Sequence, residues 1–392
     1  MAGDVLAQDA KTAARLYAPV TGSVLDVVWQ MTPGQGYHAS IHYRPTHGRT
    51  APAGSETAQP VAEPSAGPAG SPQQRLAQAA AVCGLDLGAI IRAPFVVVNG
   101  CEPDLGIATR TAWLNERTAD VAAGVAAIAA CRGERPMFLV TYDGQLSDGV
   151  RQALVHDMSP VPLQRIPLHV PWGQDALLAR YVQRVKHWQD SPLVVGVERV
   201  AALAGVLQRN MPVPSVLVTV DGDAVDHPGI YRVPVGSRLS ELLHFAGLRS
   251  DRLRQVLRGG FLAGEALADL EQPVSWTDLA FLALTRERVT ESFAGAGICL
   301  RCGRCIHACP VHLVPHQIAR WARGGHWQEA QAAGVEQCVL CGLCAYACPA
   351  RLPLVALLRL AQRRLAPSRS VPQAMTSAAA GDREAKAAAS AR

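Results

Sequence analysis

The sequence lacks the segments that mark membrane-spanning and secreted proteins. Its most apolar stretches, such as residues 121–131 and 215–220, are far shorter than the ~18 residues that a membrane span needs. Residues 1–11 carry acidic side chains and have no apolar centre, so they do not resemble a secretory signal peptide. We therefore expect a cytoplasmic protein that contacts a membrane only peripherally.

Two further absences concern charge and catalysis. The formal net charge is +5, and no long run of lysine or arginine occurs, so a nucleic-acid partner is not indicated. No Ser/His/Asp set and no pair of carboxylates stands out by its spacing, so the sequence gives no support for hydrolytic chemistry. Hydrophobic residues make up 49% of the 392 residues and charged residues only 18%, a balance that favours folded domains over wholesale disorder.

What the sequence does contain is cysteine, eleven in all. Thiols stay reduced in the cytosol, so metal binding is a better explanation for them than disulfides. Eight of them form two copies of the pattern C-x2-C-x2-C-x3-C-P, CLRCGRCIHACP (299–310) and CVLCGLCAYACP (338–349). In this pattern three cysteines wrap one [4Fe–4S] cubane and the fourth reaches the other cubane. The predicted ligands are Cys299, Cys302, Cys305 and Cys348 for cluster 1, and Cys338, Cys341, Cys344 and Cys309 for cluster 2.

Zinc is the alternative for paired C-x2-C units, but a four-ligand zinc site leaves the third and fourth cysteines of each copy without a use. Two clusters that exchange ligands lie close together, which favours an electron relay over a single structural cluster. Arg301 and Arg304 lie between the cysteines. They are either ordinary solvated loop charges or charges that balance the anionic clusters and steer an acidic redox partner.

The remaining sequence divides into segments of different composition, and the predicted fold class is a multidomain α+β protein. Residues 73–212 alternate helix-like and strand-like patterns, which predicts a parallel α/β layer. A helix is expected to begin at Ser71-Pro72, with Pro72 in its first position. The predicted division is a small β-module (1–49), a flexible linker (50–72), an α/β domain (73–212), a β-grasp module (213–290), a ferredoxin-like helical domain with both cysteine motifs (291–366) and a disordered tail (367–392).

Two amphipathic helices are predicted in the cysteine-rich part, over residues 313–328 and 351–367. The first is expected to pack between the clusters. For the second, packing against the β-grasp module and docking to a membrane subunit or anionic lipid are equal alternatives.

The cysteine motifs resemble those of the C subunit of the Rnf (Rsx) electron-transport complex. The resemblance extends to VVVNGCEPD (96–104), to the segment beginning VTVDGDAVDHPG (218–229) and, at the N-terminus, to APVTGSV (18–24), which is similar to the family's lipoyl-like module. The resemblance implies an α/β domain like the flavin subunit of respiratory complex I, which binds FMN and accepts hydride from NADH. It also implies partner subunits in a membrane-bound, ion-translocating complex, and a peripheral position on the cytoplasmic side of the bacterial inner membrane.

The sequence departs from the family where a glycine-rich loop holds the flavin phosphate. Residues 79–94 contain isolated Gly84 and Gly88 but no adjacent glycines, and Asp86 between them would repel a phosphate. The favoured function is therefore electron transfer by two [4Fe–4S] clusters, with NADH or ferredoxin as the donor. One alternative is an NADH:acceptor oxidoreductase subunit that still binds FMN through Asn99 and Glu102, although the missing loop argues against NADH dehydrogenase activity of this chain alone. The other is a docking or assembly component whose clusters are structural.

Overall fold

Four strands are described in the N-terminal part of the chain. In the computed structural model the described residues are the strands within 5–45 and the segments 72–168, 170–209, 215–293 and 297–366. The N-terminal strands form two antiparallel pairs, β1 with β2 and β3 with β4. They lie where the sequence predicts a β-module; residues 50–71 of the predicted linker and the tail at 367–392 lie outside the described residues. The strands are β1 (Val5–Gln8), β2 (Arg15–Tyr17), β3 (Gly22–Thr32) and β4 (Gly36–Pro45).

The α/β domain contains a four-stranded, fully parallel sheet in the order β7-β6-β5-β8. Its central strand β5 is buried along its whole length, as expected for a parallel strand covered by helices on both faces. Helix α1 begins at Pro72, as predicted. The elements are α1 (Pro72–Val82), α2 (Leu87–Arg92), β5 (Val96–Asn99), α3 (Thr109–Glu116), α4 (Thr118–Arg132), β6 (Met137–Tyr142), α5 (Asp148–Asp157), β7 (Leu163–Ile166), α6 (Asp175–Val185), β8 (Leu193–Gly196) and α7 (Val197–Arg209).

Small residues allow helices α4 and α7 to pack closely on this sheet. A Cβ atom added to Gly124 of α4 would lie only 2.0 Å from the carbonyl oxygen of Val200 in α7. The glycine therefore permits a helix approach that any side chain would prevent. The sheet and these helices share one apolar core, which includes Val96, Val125 and Leu203.

The next domain is a mixed five-stranded sheet in the order β10-β9-β13-β11-β12. Strands β9 and β13 pair in parallel and all other neighbours are antiparallel, and helix α8 buries Leu239, Leu242 and Leu243. This is the β-grasp-like arrangement that the strand–turn–strand–helix pattern predicts. The elements are β9 (Ser215–Asp221), β10 (Gly229–Pro234), α8 (Leu239–Phe245), β11 (Leu253–Arg258), β12 (Glu265–Leu267), β13 (Ala280–Thr285) and α9 (Arg286–Phe293).

The cysteine-rich domain is helical and built from two similar halves. Each cysteine motif contains a short helix and is followed by a longer one, so that α10 corresponds to α13 and α11 to α14. The longer helices pack together through Ile318, Ala322, Leu354, Leu358 and Ala361. The elements are α10 (Arg304–His307), α11 (Pro315–Arg323), α12 (Trp327–Ala332), a 3₁₀ turn (Val335–Gln337), α13 (Leu343–Tyr346) and α14 (Leu354–Leu365).

One helix of this domain differs from the sequence prediction. A single helix is expected over residues 313–328, but α11 ends at Arg323 and α12 begins at Trp327. The break falls at Gly324-Gly325, where Gly325 has a φ of +74° that continues no right-handed helix. No helix in the described part of the chain is long and apolar enough to cross a lipid bilayer.

Candidate metal-cluster site

The eight motif cysteines surround two separate recesses of similar size. In each, three cysteines come from one motif and the fourth comes from the other motif. The structure thus brings together the two groups of four cysteines predicted from the sequence, in which each motif gives its fourth cysteine to the other group. We call this exchange the crossed arrangement; the role of these cysteines as cluster ligands stays a prediction. The cysteines are Cys299, Cys302, Cys305 and Cys348 in the first recess, and Cys338, Cys341, Cys344 and Cys309 in the second.

The backbone around both recesses takes the same unusual path. The residue before the second cysteine of each motif has a left-handed conformation, with φ of +51° at Arg301 and +53° at Leu340. The glycine after the second cysteine does too, with φ of +77° at Gly303 and +85° at Gly342. These turns wrap each loop around its recess, so that its first three thiols face one space.

Two backbone amides at the second recess point at sulfur atoms. The amide of Leu340 donates to Sγ of Cys338 at 3.4 Å, and the amide of Leu313 donates to Sγ of Cys309 at 3.3 Å. Such donors stabilise negative charge on sulfur, as the thiolates of an iron–sulfur cluster require.

Burial strongly disfavours the free thiolates. It raises the pKa of Cys338 to about 11 and that of Cys344 to about 12, and it also raises the pKa of Cys305 and Cys341. A metal centre that binds these thiols must therefore displace their protons, because cysteine binds metals as the thiolate.

Each recess brings together four cysteine thiols. Four cysteine thiolates are the ligand set of a [4Fe–4S] cluster. Among the described residues, no group of three or more His, Cys, Asp or Glu side chains is placed to hold one metal ion.

The second recess is covered by a loop of the β-grasp domain, residues 259–264. A Cβ atom added to Gly342 would lie 2.3 Å from the carbonyl oxygen of Leu262, so this carbonyl rests directly on the second motif. Arg359 of α14 donates to the carbonyl oxygens of Ala263 at 2.6 Å and Gly264 at 3.4 Å. Of the two alternatives for helix α14, the structure therefore shows the contact with the β-grasp domain.

The α/β domain holds the same loop from the other side. Asp104, the last residue of VVVNGCEPD, is buried, and its carboxylate accepts hydrogen bonds from the amides of Leu262 at 3.0 Å and Ala263 at 2.7 Å. Three domains thus meet at the 259–264 loop, beside Cys341. Sequence reasoning missed Asp104 because its two partners belong to a different domain, far along the chain.

Asn99 is fully buried at the carboxyl end of β5. Its side-chain amide donates to the carbonyl oxygen of Gly173 and to Oδ1 of Asp175, both at 2.7 Å, and its oxygen accepts from the amide of Cys101 at 2.9 Å. Every polar group of this side chain is therefore used within the fold.

Glu102 has one oxygen engaged and one free. Its Oε1 accepts from the amide of Thr111 at 2.7 Å, whereas the buried Oε2 has no partner among the described residues. Burial raises the pKa of this carboxyl group. Neither Asn99 nor Glu102 lines the larger recess of about 1100 Å³ at the end of β7, whose lining includes Trp172 and Arg184. A flavin- or NADH-binding role for the two residues stays a prediction.

Two other residues near this edge have structural roles. Arg110 is buried, pairs with Glu198 at 3.1 Å and donates to the carbonyl oxygen of Cys101 at 3.0 Å; nothing around it in the sequence signals this network. Asp86 caps helix α2, with its carboxylate accepting from the amide of Ala89 at 2.8 Å. The segment that lacks the family's glycine-rich loop therefore starts a helix.

Comparison with known proteins gives two domain matches. Residues 295–352 match the family of 4Fe-4S dicluster domains, and residues 217–264 match the SLBB domain. The first match covers both cysteine motifs and supports two [4Fe–4S] clusters. The second covers the β-grasp-like domain from β9 into the 259–264 loop.

Two relatives of this chain share one description. The C subunit of an ion-translocating oxidoreductase complex from Rhodobacter capsulatus is 27% identical over 394 residues, covering 91% of this chain and 72% of the relative. The protein of the same description from Pseudomonas aeruginosa is 27% identical over 263 residues, covering 60% of this chain. This chain spans only 31% of the length of that Pseudomonas relative.

The fold also has a counterpart among solved structures. A chain of the NAD⁺-reducing [NiFe]-hydrogenase in its air-oxidized state aligns with a TM-score of 0.50 and 18% identity, over 77% of this chain and 64% of that one. The likeness concerns the fold alone. With both domain matches and an identity of about 27% over most of its length, this protein is an RnfC-like homologue of the C subunits of ion-translocating oxidoreductase complexes.

Proposed function

We propose that this chain is an electron-relay subunit that holds two [4Fe–4S] clusters within an Rnf-like, ion-translocating complex. The observation that carries the proposal is the crossed lining of the two recesses, each with three cysteines from one motif and one from the other. Crossed cysteines require both motifs for either site to be complete, and they keep the sites adjacent. A single structural metal needs neither property.

When bound, each cluster supplies a centre that accepts and releases one electron at a time. The protein supplies the thiolates of the eight cysteines and the amides of Leu313 and Leu340 that point at sulfur. It also supplies a dry environment for the second site, whose cysteines are buried or half-buried. Hydrogen bonds and solvent exposure both set reduction potentials, so the two sites are expected to have different potentials.

The setting of this relay is proposed from the relatives. They are described as subunits of ion-translocating oxidoreductase complexes, and we infer that this chain also works with further subunits, peripherally on the cytoplasmic side of the bacterial inner membrane. NADH or ferredoxin is the proposed source of electrons. An additional FMN in the α/β domain would give flavin absorbance bands in the purified protein, whereas a relay without flavin would not.

The proposal is tested with anaerobically purified protein, its iron and sulfide content, and electron paramagnetic resonance (EPR) spectra after reduction. We expect about eight iron and eight sulfide atoms per chain. Four serine variants then test the crossing: the spectrum of Cys348→Ser should match that of Cys302→Ser, and the spectrum of Cys309→Ser should match that of Cys341→Ser. Cys131→Ser, outside both recesses, serves as the control and should keep both signals.

Two results would contradict the proposal. If Cys348→Ser instead resembles Cys341→Ser, each motif closes its own site and the crossed arrangement is wrong. If the protein contains zinc, or if the variants of Cys302 and Cys341 support full electron transfer in the assembled complex, the relay itself is wrong and the structural role is favoured.

A further inference from the structure

The two halves of the cysteine domain differ in how they are covered. Gly303 and Gly342 each follow the second cysteine of their motif, and the same offset along the chain pairs Arg320 with Arg359. In the second half, Gly342 and Arg359 both contact the 259–264 loop. In the first half, a Cβ atom added to Gly303 would have no neighbour among the described residues closer than 3.9 Å, where an atom of the His307 ring lies. Exposed Arg320 stacks on Trp321 of its own helix, 4.7 Å from the ring centre.

The uncovered half exposes both thiols and apolar side chains. Cys299 and Cys302 are exposed, whereas Cys341 is buried and Cys338 half-buried. Ile298 and Leu300, which flank Cys299, are 88% and 68% exposed. We use the name first-motif face for the surface formed by Ile298, Leu300, Arg301 and Arg304 with the two exposed thiols. Leu300 also lines the first recess. Exposed apolar side chains grouped beside a site favour an interaction surface over free surface.

The charge of this face has one sign. Residues 297–366 contain eight arginines, no lysine and only two acidic residues, Glu329 and Glu336, a formal charge of +6 where the whole chain carries +5. Arg301 and Arg304 are exposed, and neither forms an ion pair with any residue in the described segments. Unpaired cations at the rim of an apolar patch attract a partner of negative charge and speed its approach.

We propose that the first-motif face is the docking surface for an acidic electron-transfer protein, and that electrons enter or leave the relay at the exposed site while the covered site is internal. This inference rests on the proposed function. In a symmetric contact with a second copy of this chain, Arg301 and Arg304 of one copy would face the same arginines of the other. These like charges would repel each other, so the face does not favour self-association. An anionic membrane is a poorer match than a protein, because helix α10 has only four residues and offers no amphipathic surface of the length that binds membranes.

The transfer is a simple exchange of one electron. In the direction used for the test, the reduced flavin of an acidic donor protein loses one electron and the exposed cluster gains it; no bond forms and no proton moves. The probe is a bacterial flavodoxin, which carries a net negative charge and a flavin at its surface.

Binding is measured first, with both proteins oxidised, by isothermal titration calorimetry at low ionic strength. We expect the double variant Arg301→Glu/Arg304→Glu to weaken binding at least about tenfold, and added salt to weaken the wild type more than this variant. The control Arg75→Glu/Arg92→Glu makes the same change of charge at exposed positions of α1 and α2 and should leave binding within about twofold. Ile298→Ser/Leu300→Ser should weaken binding while keeping the salt dependence.

Electron transfer is measured second, by stopped-flow mixing with reduced flavodoxin and, separately, with reduced methyl viologen. The second-order rate with flavodoxin should fall at least about tenfold in Arg301→Glu/Arg304→Glu. The rate with viologen, a small cation that needs no docking surface, should not fall. Lack of any cluster signal after viologen reduction would refute the proposed function, whereas the calorimetric result decides the docking surface independently.

Three outcomes would overturn the docking proposal. The first is equal flavodoxin binding by the wild type and Arg301→Glu/Arg304→Glu. The second is a change of sedimentation coefficient of the chain alone in that variant, which would assign the face to self-association. The third is a loss of co-sedimentation with phosphatidylglycerol vesicles without any change in flavodoxin binding, which would assign it to the membrane.

Discussion

A matched pair of glycine substitutions isolates the contact between the β-grasp loop and the second motif. Gly303 and Gly342 occupy corresponding positions with similar left-handed backbones, φ +77° and +85°. Alanine at either position therefore carries the same conformational penalty of about 1–2 kcal/mol. Only at Gly342 does the added methyl group meet another backbone, because the carbonyl oxygen of Leu262 lies 2.3 Å away and must shift by about 1 Å to reach ordinary van der Waals distance.

The size of the extra effect follows from overpacking, which costs about 1–3 kcal/mol. Since about 1.4 kcal/mol corresponds to a tenfold change in an equilibrium, the 259–264 loop should open about 5 to 150 times more often in Gly342→Ala. The amides of Leu262 and Ala263 report this opening, because in the closed loop they donate to buried Asp104. Hydrogen–deuterium exchange mass spectrometry of peptides that span 259–264 measures it.

Gly303→Ala is the control and should leave the exchange of these peptides unchanged. The hydrogen exchange of a peptide that spans β5 should be the same in both variants as in the wild type. Equal exchange of the 259–264 peptides in Gly342→Ala and Gly303→Ala would show that Leu262 does not rest on the second motif, and the cover described above would be wrong.

Three further predictions concern the α/β domain. Because burial raises the pKa of Glu102, the charge of this carboxylate destabilises the fold at neutral pH. Glu102→Gln should therefore raise the melting temperature at pH 7. This gain should shrink as the pH falls through the raised pKa of folded Glu102 towards the pKa of an unfolded glutamate, and a gain that is the same at every pH would contradict the shift. Gly124→Ala should destabilise the domain by about 2–4 kcal/mol in urea unfolding, because its methyl group would lie 2.0 Å from the carbonyl oxygen of Val200. The control is Gly149→Ala, whose methyl group would meet no atom of the described residues within 4 Å; it should be neutral or stabilise by up to about 1 kcal/mol. Arg110→Met leaves Glu198 without its 3.1 Å partner and should cost about 3–5 kcal/mol in the same assay, whereas a loss below about 1 kcal/mol would show that the pair is effectively solvated.

Local patterns in the sequence were sufficient to predict most of the helices and strands and to group the first three cysteines of each motif. The apolar run of β5 predicted a buried parallel strand, because the burial of a strand depends mainly on its own residues. The spacing of each cysteine motif grouped its first three thiols in the same way, whereas the place of the fourth thiol in the other recess was predicted from the iron–sulfur pattern and not from close neighbours in the chain. The wrong prediction of one helix over 313–328 overlooked a local signal, the Gly324-Gly325 pair that ends α11.

The contacts between domains could not be predicted in this way. The 259–264 loop reaches forward to Gly342 in the cysteine-rich domain and back to Asp104 in the α/β domain, and no spacing rule connects them. Arg110 likewise lies on a short helix without any motif, and its role depends on Glu198 being brought next to it by the fold. The difference in exposure between the two cysteine sites arises from these contacts, so a sequence whose two motifs look equivalent encodes two sites that are not.

The exchange of cysteines between the motifs also determines when the sites can be filled during synthesis. Cys348 leaves the ribosome long after Cys299, once the whole second motif has been made, and the second recess likewise lacks most of its thiols until residues 338–344 have emerged. Until Cys348 has been made, the first recess therefore has only three of its four cysteines, and the fourth cysteine of the first motif, Cys309, has no second recess to line. A product truncated between the motifs would contain neither recess with all four of its cysteines, so each site depends on synthesis of almost the whole cysteine-rich domain.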